Sequence, residues 1–203
     1  MKTVDAIYSR KSTRHYRNVR IERAVLQEIL SAGIQAPSPK NDQPWKFLIV
    51  EEEEKKEAIA NILEKQLEKV GERNAMTGII RKDIESAFES VRILKEASTL
   101  IFVYLDTNIY DMHNDNLVWE LNAADVECTH IMAIGAAIQN ILLAATDKGI
   151  DSLWIGDILY AYNDMHKYLG REECLLAAVA LGYASKNQSK IGRKSLSEVT
   201  TYF

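Results

Sequence analysis

Four stretches of this 203-residue chain gather side chains that can do chemistry. The first is Arg10-Lys11-Ser12-Thr13-Arg14, with Arg10, Lys11, Arg14 and the Ser12 hydroxyl inside five residues. An arginine fork matches phosphate oxygens, a lysine adds a compact charge and a serine a short donor. The set therefore suits a phosphomonoester and the polar chain next to it. A solvated basic turn closing a helix C-terminus has the same composition, and on this segment alone that reading ranks first.

The second stretch is Ala36-Pro37-Ser38-Pro39-Lys40-Asn41-Asp42-Gln43-Pro44-Trp45. Prolines at 37, 39 and 44 fix backbone angles, so Ser38, Asn41 and Gln43 are presented from a pre-shaped loop at small entropic cost. A helix-to-strand connector, with Asn41 and Asp42 closing turns and Trp45 in the core, accounts for it equally well. The third is Leu153-Trp154-Ile155-Gly156-Asp157, where Gly156 would let the backbone approach a flat ligand. Against that, Trp154 suits a core, and a glycine at a strand end is commonplace. The fourth, 186–194, carries Lys186, Lys190, Arg193 and Lys194 and offers a second phosphate clamp or a solvated basic tail.

Other chemistries lack support. The chain has neither G-x-G-x-x-G nor G-x-x-x-x-G-K-[ST], so phosphate binding has to rest on side chains. Asp111 and His113 have no spaced third metal ligand, and His15, His130 and His166 are isolated, which assigns all four histidines to structure or solvent. Nothing marks a strained nucleophile turn. Cys128 and Cys174 are the only cysteines and read as two reduced core thiols rather than a disulfide or zinc pair. A formal net charge of −4 gives no general affinity for nucleic acid or anionic lipid. No signal-peptide pattern follows Met1, so a cytoplasmic protein is expected. The apolar run 131–145 contains Gln139 and Asn140 and reads as a buried helix, with no membrane partner.

The elements that must position these groups follow from periodicity. An opening helix covers about residues 3–9, and Leu26, Ile29, Leu30 and Ile34 recur at helical spacing before Pro37 stops the pattern. WKFLIVE reads as a strand, and EEEEKKE opens a helix whose end is bracketed by Gly71 and Gly78. A further helix carries Ile84, Phe88, Val91 and Leu94 to the strand TLIFVYL at 99–105. A polar loop at 106–116, a long helix or broken pair over 117–148 and a glycine cap at Gly149 come next. Strand SLWIG, a short helix near 162–169, strand LLAAVALGY and a basic tail complete the chain. The apolar content of 47% and a length near the upper end for one core give a single domain over 1–203. Its class is α/β or α+β, with about four strands in one central sheet covered by helices on both faces. The tail KSLSEVTTYF ends in a β-prone segment with no hairpin partner, one that could pair with the edge of a second subunit.

Taken together, the order and spacing of these stretches resemble the nitroreductase family of FMN enzymes from Ala6 to Tyr202. Arg10-Lys11-Ser12-Thr13-Arg14 looks like the R-[RHK]-S-x-[RK] flavin motif, and Ala36-Pro37-Ser38 with Asn41, Gln43, Pro44 and Trp45 like A-P-S-x-x-N-x-Q-P-W. Residues 135–145 resemble the long dimer-forming helix. Gly182-Tyr183 and 193–199 resemble the G-Y…R-[RK]-P-L-x-E-[VI] ending, with Ser195 where proline is usual.

The resemblance implies an α+β homodimer, its central mixed, largely antiparallel sheet of four to five strands flanked by helices, with FMN in two interface sites. Arg10, Lys11, Ser12 and Arg193 would hold the phosphate, and Arg14 would lie near the polar edge of the ring. Pro37, Ser38 and Asn41 would come from the other subunit. The backbone of Trp154, Ile155 and Gly156 would pass the ring, with the Ile155 N–H a candidate donor to flavin N5. It further implies ping-pong hydride transfer from NAD(P)H through the flavin to a nitroaromatic, quinone or similar small acceptor. Reductive dehalogenation, flavin breakdown and non-catalytic flavin binding stay open as alternatives. Many relatives carry Lys or Asn beside the flavin on the helix before the second strand. Here Ser90 and Ile93 stand there, with Arg92 and Lys95 nearby. The helix around 79–97 and the loop 106–116 are expected to shape the substrate channel.

Overall fold

In the computed structural model, residues 1–77, 82–106 and 123–203 are described. Strand β3 (Thr99–Leu105) is the clearest guide to the architecture, because all seven of its residues are buried. Successive side chains on a strand point to opposite faces. A strand with no exposed face must therefore be covered on both sides. Leu100, Phe102 and Tyr104 enter one core, and Ile101, Val103 and Leu105 enter another.

The first core is closed by α3 (Glu53–Thr77), α4 (Lys82–Glu96), a 3-10 turn at Asp157–Ala161 and α6 (Tyr162–Leu169). Ile59, Leu63 and Leu67 of α3 and Val91 and Leu94 of α4 supply its apolar stripes. The second core is closed by α2 (Arg23–Gly33) and α5 (Ala123–Asp147). Gly33 lets these two helices approach closely: a Cβ there would stand 2.7 Å from Ile141 Cγ1.

The sheet is built around β5 (Cys174–Ala184), an eleven-residue strand. One edge pairs with β3, which in turn pairs with β2 (Trp45–Val50) at the sheet margin. The other edge pairs first with β4 (Asp151–Ile155) and then with β1 (Tyr16–Arg17). Among the described residues all four ladders are antiparallel, and the parallel element is a single isolated bridge between Ser12 and Ser152. The class and the flanking helices are as the sequence indicates.

Several elements differ from expectation. Strand β1 is too short to carry a periodic signal and exists because Tyr16 and Arg17 pair with Ala184 and Tyr183. Gly71 lies inside α3 and does not break it. A Cβ there would meet nothing within 4 Å, so the position is open and costs only intrinsic helix propensity. The tail also contains a four-residue helix, α7 (Leu196–Val199), ahead of its β-prone end and started by a capping box between Ser195 and Glu198. Residues 200–203 form no strand within the chain.

The apolar run 131–145 is buried on one face only. Ile134, Ala137, Ile138 and Ile141 are in the core, whereas Met132 is 62% exposed. Residues 127–147 are long and apolar enough to cross a membrane by composition, and their buried face packs on the sheet. Cys128 is exposed and Cys174 half-buried, so only Cys174 approaches the expected core thiol. The expected loop 107–116, with Asp111 and His113, and the helical stretch 117–122 lie outside the described residues.

Candidate active site

Helix α1 (Thr3–Ser9) ends when Arg10 turns to extended backbone, and the chain then runs along the edge of β4. Thr13 fixes it there. Its N–H donates to the Ser152 carbonyl at 2.9 Å, and its hydroxyl donates to Asp151 Oδ1 at 3.0 Å. The other Asp151 oxygen accepts the Ala184 N–H at 3.0 Å, which ties β4, β5 and the basic segment to one carboxylate.

Tyr16 adds a second anchor, donating from its hydroxyl to the Thr13 carbonyl at 2.9 Å. Burial, and then the nearby Asp151 charge, push that phenol well above its ordinary range, so it remains a donor. Its ring packs on Gly182, where a Cβ would stand 2.7 Å from Tyr16 Cδ1. With Thr13 turned inward and fully buried, Arg10, Lys11, Ser12 and Arg14 line one hollow.

The basic tail folds back over this segment. Ser185 N–H donates to the His15 carbonyl at 3.0 Å, and Arg14 N–H donates to Gln188 Oε1 at 3.0 Å. Lys11 Nζ donates to Asn187 Oδ1 at 3.0 Å, and Lys190 Nζ to the Tyr8 carbonyl. The result is a cavity of about 90 Å3 lined by Arg10, Lys11, Ser12, Arg14, Lys190 and Arg193, among others. Two of the four sequence stretches are thus brought together, although more than 170 residues separate them.

No acid lines that cavity, and Arg10, Lys11, Arg14 and Arg193 make no ion pair among the described residues. Partial burial, followed by the charge of Arg193, lowers the pKa of Arg10. The guanidinium remains charged at neutral pH, and Arg193 lies close enough to repel it across the hollow.

The third stretch adjoins the same cluster. A cavity of about 190 Å3 includes Arg14, Ser90 and Ile93 of α4, and Trp154, Ile155 and Gly156 at the end of β4. Trp154 is 45% exposed rather than core, and Gly156 has ordinary backbone angles with open space where a Cβ would stand. Its glycine therefore leaves room in front of the strand end; no turn demands it. Ser90 donates its hydroxyl to Asp157 Oδ2 at 2.6 Å, a contact between α4 and the post-β4 turn that no local pattern signals. Arg92 is turned instead to Glu96 at 2.7 Å. A third hollow of about 120 Å3 joins Arg10 and Lys11 to Asp151 and Ser152, and the buried Ser152 hydroxyl has no hydrogen-bond partner among the described residues.

The second stretch stands apart from these hollows. Pro37, Ser38 and Asn41 line none of the three. Their loop is nonetheless shaped: Lys40, Asn41 and Gln43 all adopt positive φ, at 49°, 63° and 51°. Such angles are costly for residues with side chains and persist only where surroundings impose them. Ser38 Oγ accepts the Gln43 N–H at 3.0 Å, and buried His130 of α5 meets Asp42 Oδ2 at 3.0 Å. A larger hollow of about 800 Å3 lies elsewhere, between α2 and the edge strand β2. It gathers no comparable cluster of one charge sign, since Arg23 there pairs with Glu51 at 3.7 Å.

The fold is thus a sheet between two helical layers, with a cationic hollow that shares Arg14 with a cavity at the end of β4. The model described as "Nitroreductase family" matches residues 7–183, and the chain belongs to that family. A protein of Archaeoglobus fulgidus, named as a candidate NADH dehydrogenase/NAD(P)H nitroreductase, is 30% identical over 187 residues, 87% of this chain and 82% of its own. A BluB-like flavoprotein of Clostridium difficile superposes with a TM-score of 0.81 at 23% identity, over 100% of this chain and 99% of its own. A candidate nitroreductase of Desulfovibrio desulfuricans, solved with FMN, gives 0.71 at 24% identity, over 100% and 97%.

Proposed function

We propose that this protein is an FMN-dependent oxidoreductase that takes hydride from NAD(P)H and reduces a nitroaromatic, quinone or similar small acceptor by a ping-pong mechanism. The observation that carries this reading is the hollow lined by Arg10, Lys11, Arg14, Lys190 and Arg193, with no acid in its lining and a second cavity beginning at Arg14. Cations held together without a counter-charge fit a ligand with a dianionic phosphate at one end. The adjoining cavity, walled by Trp154 and open before Gly156, fits its planar end. The donor set therefore suits FMN, and the partnerless Ser152 hydroxyl beside Arg10 and Lys11 is a further group a polar ligand would satisfy.

Bound FMN would supply the redox chemistry, accepting hydride from the nicotinamide and passing reducing equivalents to the acceptor. In this assignment Arg10, Lys11, Ser12 and Arg193 hold the phosphate, and Arg14 places positive charge at the polar edge of the ring, where reduction builds up negative charge. The Ile155 N–H is the proposed donor to the ring, and Trp154 and Gly156 set the space beside it. No side-chain acid/base pair is needed, which agrees with the lack of a catalytic dyad in the sequence.

The working unit in this proposal is a cytoplasmic homodimer, with Pro37, Ser38 and Asn41 reaching the site of the opposite subunit. Support comes from apolar surface that a lone subunit leaves open: Ile131 and Met132 on α5, and Leu196, Val199, Tyr202 and Phe203 in the tail. The hollow beside edge strand β2 is where a partner's tail could seat. The kinetic test is a matrix of NAD(P)H and acceptor concentrations. Parallel double-reciprocal lines, with FMN recovered from the denatured protein, are expected; intersecting lines overturn the ping-pong assignment, and absence of FMN overturns the cofactor.

A further inference from the structure

The ring-end cavity is acidic on one side, in contrast to the phosphate end. Glu89 of α4 and Asp157 both line it, against the single cation Arg14. Neither carboxylate has an ion-pair partner among the described residues. Asp157 is also held in place: Ser90 is 5% exposed and donates its hydroxyl to Oδ2 at 2.6 Å, a short contact of the kind a charged acceptor makes. A hydroxyl has one proton to give, so Ser90 fixes the carboxylate and leaves its other oxygen free of described partners.

We propose that Asp157, positioned by Ser90 and assisted by Glu89, selects the electron acceptor by charge, favouring neutral or cationic aromatic molecules over carboxylates. This rests on the reading of the cavity as the place where the acceptor meets the ring. Arg14 does not cancel the effect, because it offsets only one of the two negative charges on this wall and in the same reading is turned to the polar edge of the ring. The Trp154 face, half open in that cavity, supplies a surface for an aromatic ring, so the acidic wall sorts flat molecules of similar shape. A fixed unit charge about 6 Å away, in an environment of effective dielectric about 40, changes affinity for a charged ligand about tenfold.

Three ligands of one shape and different charge test this on the oxidised FMN-loaded protein: benzamidinium, benzamide and benzoate, followed by perturbation of the flavin absorbance. The expected order of affinity is benzamidinium, then benzamide, then benzoate. Asp157→Asn retains the contact with Ser90 and should tighten benzoate about tenfold, weaken benzamidinium by a similar factor and leave benzamide unchanged. Should that variant lose its flavin, Glu89→Gln and added salt are each expected to narrow the same spread in the same direction. Wild-type preference for benzoate, or an equal change for all three ligands, overturns the inference. Reduction of the same preparation by NADH or NADPH separates the two questions: a protein that is reduced normally but ignores ligand charge refutes only the acidic wall, whereas one that neither nicotinamide reduces refutes the oxidoreductase reading.

Discussion

Replacing Arg10 with alanine should weaken FMN binding while nearly sparing riboflavin, which lacks the phosphate. Arg10 is part-buried in the cationic hollow, and its nearest charged influence is another cation, Arg193. One charge-assisted contact to phosphate is worth about 1.5–3 kcal/mol, or roughly ten- to 150-fold in affinity. Two features of the hollow pull the expectation to the lower half of that range. Removing Arg10 relieves its repulsion with Arg193 in the ligand-free protein, and Lys11 and Lys190 remain to take up part of the phosphate charge. About ten- to thirtyfold is therefore expected for FMN, and less than about threefold for riboflavin. Titration of apoprotein by flavin fluorescence quenching, at one fixed ionic strength, reads both. Equal losses for the two flavins would show that Arg10 does not bind phosphate; an unchanged FMN affinity would move the phosphate site away from this hollow.

Three other perturbations probe the scaffold. Gly182→Ala drives a methyl to 2.7 Å from the Tyr16 ring and 3.3 Å from the Ser98 nitrogen. It should cost about 1–3 kcal/mol in thermal or denaturant unfolding, and should loosen FMN as well, because Tyr16 holds the Thr13 carbonyl. Burial pushes the Tyr104 phenol up to about 12, so the folded state keeps a proton that the unfolded chain loses near pH 10. Its contribution is complete below about pH 10 and lost as pH rises through about 12; Tyr104→Phe should flatten that alkaline loss. Since the Tyr104 hydroxyl is buried without a hydrogen-bond partner among the described residues, the same change at pH 7 should cost less than about 1 kcal/mol or stabilise, and a larger loss would reveal a further contact. Refolding Arg10→Ala chains together with chains altered at both Ser38 and Asn41 should restore about a quarter of wild-type activity, because a two-fold heterodimer keeps one intact site. Mass-confirmed exchange without recovery would place Ser38 and Asn41 outside the shared pocket.

Periodic elements were the legible part of the fold. Strand β3 alternates residues between two cores, and its unbroken apolar run announces that both faces are covered. The α6 bounds and the glycine cap at Gly149, which has positive φ, follow from local chemistry. Strand β1 was not legible, because two residues become a strand only through their pairing with Ala184 and Tyr183. In the tail, the Ser195 to Glu198 capping box acts locally and starts a helix, while the β-propensity of Val199 to Tyr202 acts only where an edge is present, one that a second subunit would have to supply.

At the site, residue types in Arg10 to Arg14 and Arg193 showed what chemistry was available, and the fold showed that they share a hollow. Thr13 and Tyr16 carry the anchoring but have no charge to draw notice. Ser90 and Asp157 stand 67 positions apart and meet only because α4 packs against the turn after β4. Helical periodicity placed Cys128 in a helix without indicating which face it occupies.

The central claim is that NAD(P)H reduces a flavin held by this chain, and single-turnover mixing without oxygen tests it most directly. FMN-loaded protein is mixed with one equivalent of NADH or NADPH, the visible flavin band is followed, and a quinone or nitroaromatic is added in a second push. The account predicts rapid stoichiometric bleaching by at least one nicotinamide, then recovery of the band when acceptor is added. A flavin that stays oxidised with both nicotinamides, in protein shown to be fully loaded, would contradict it.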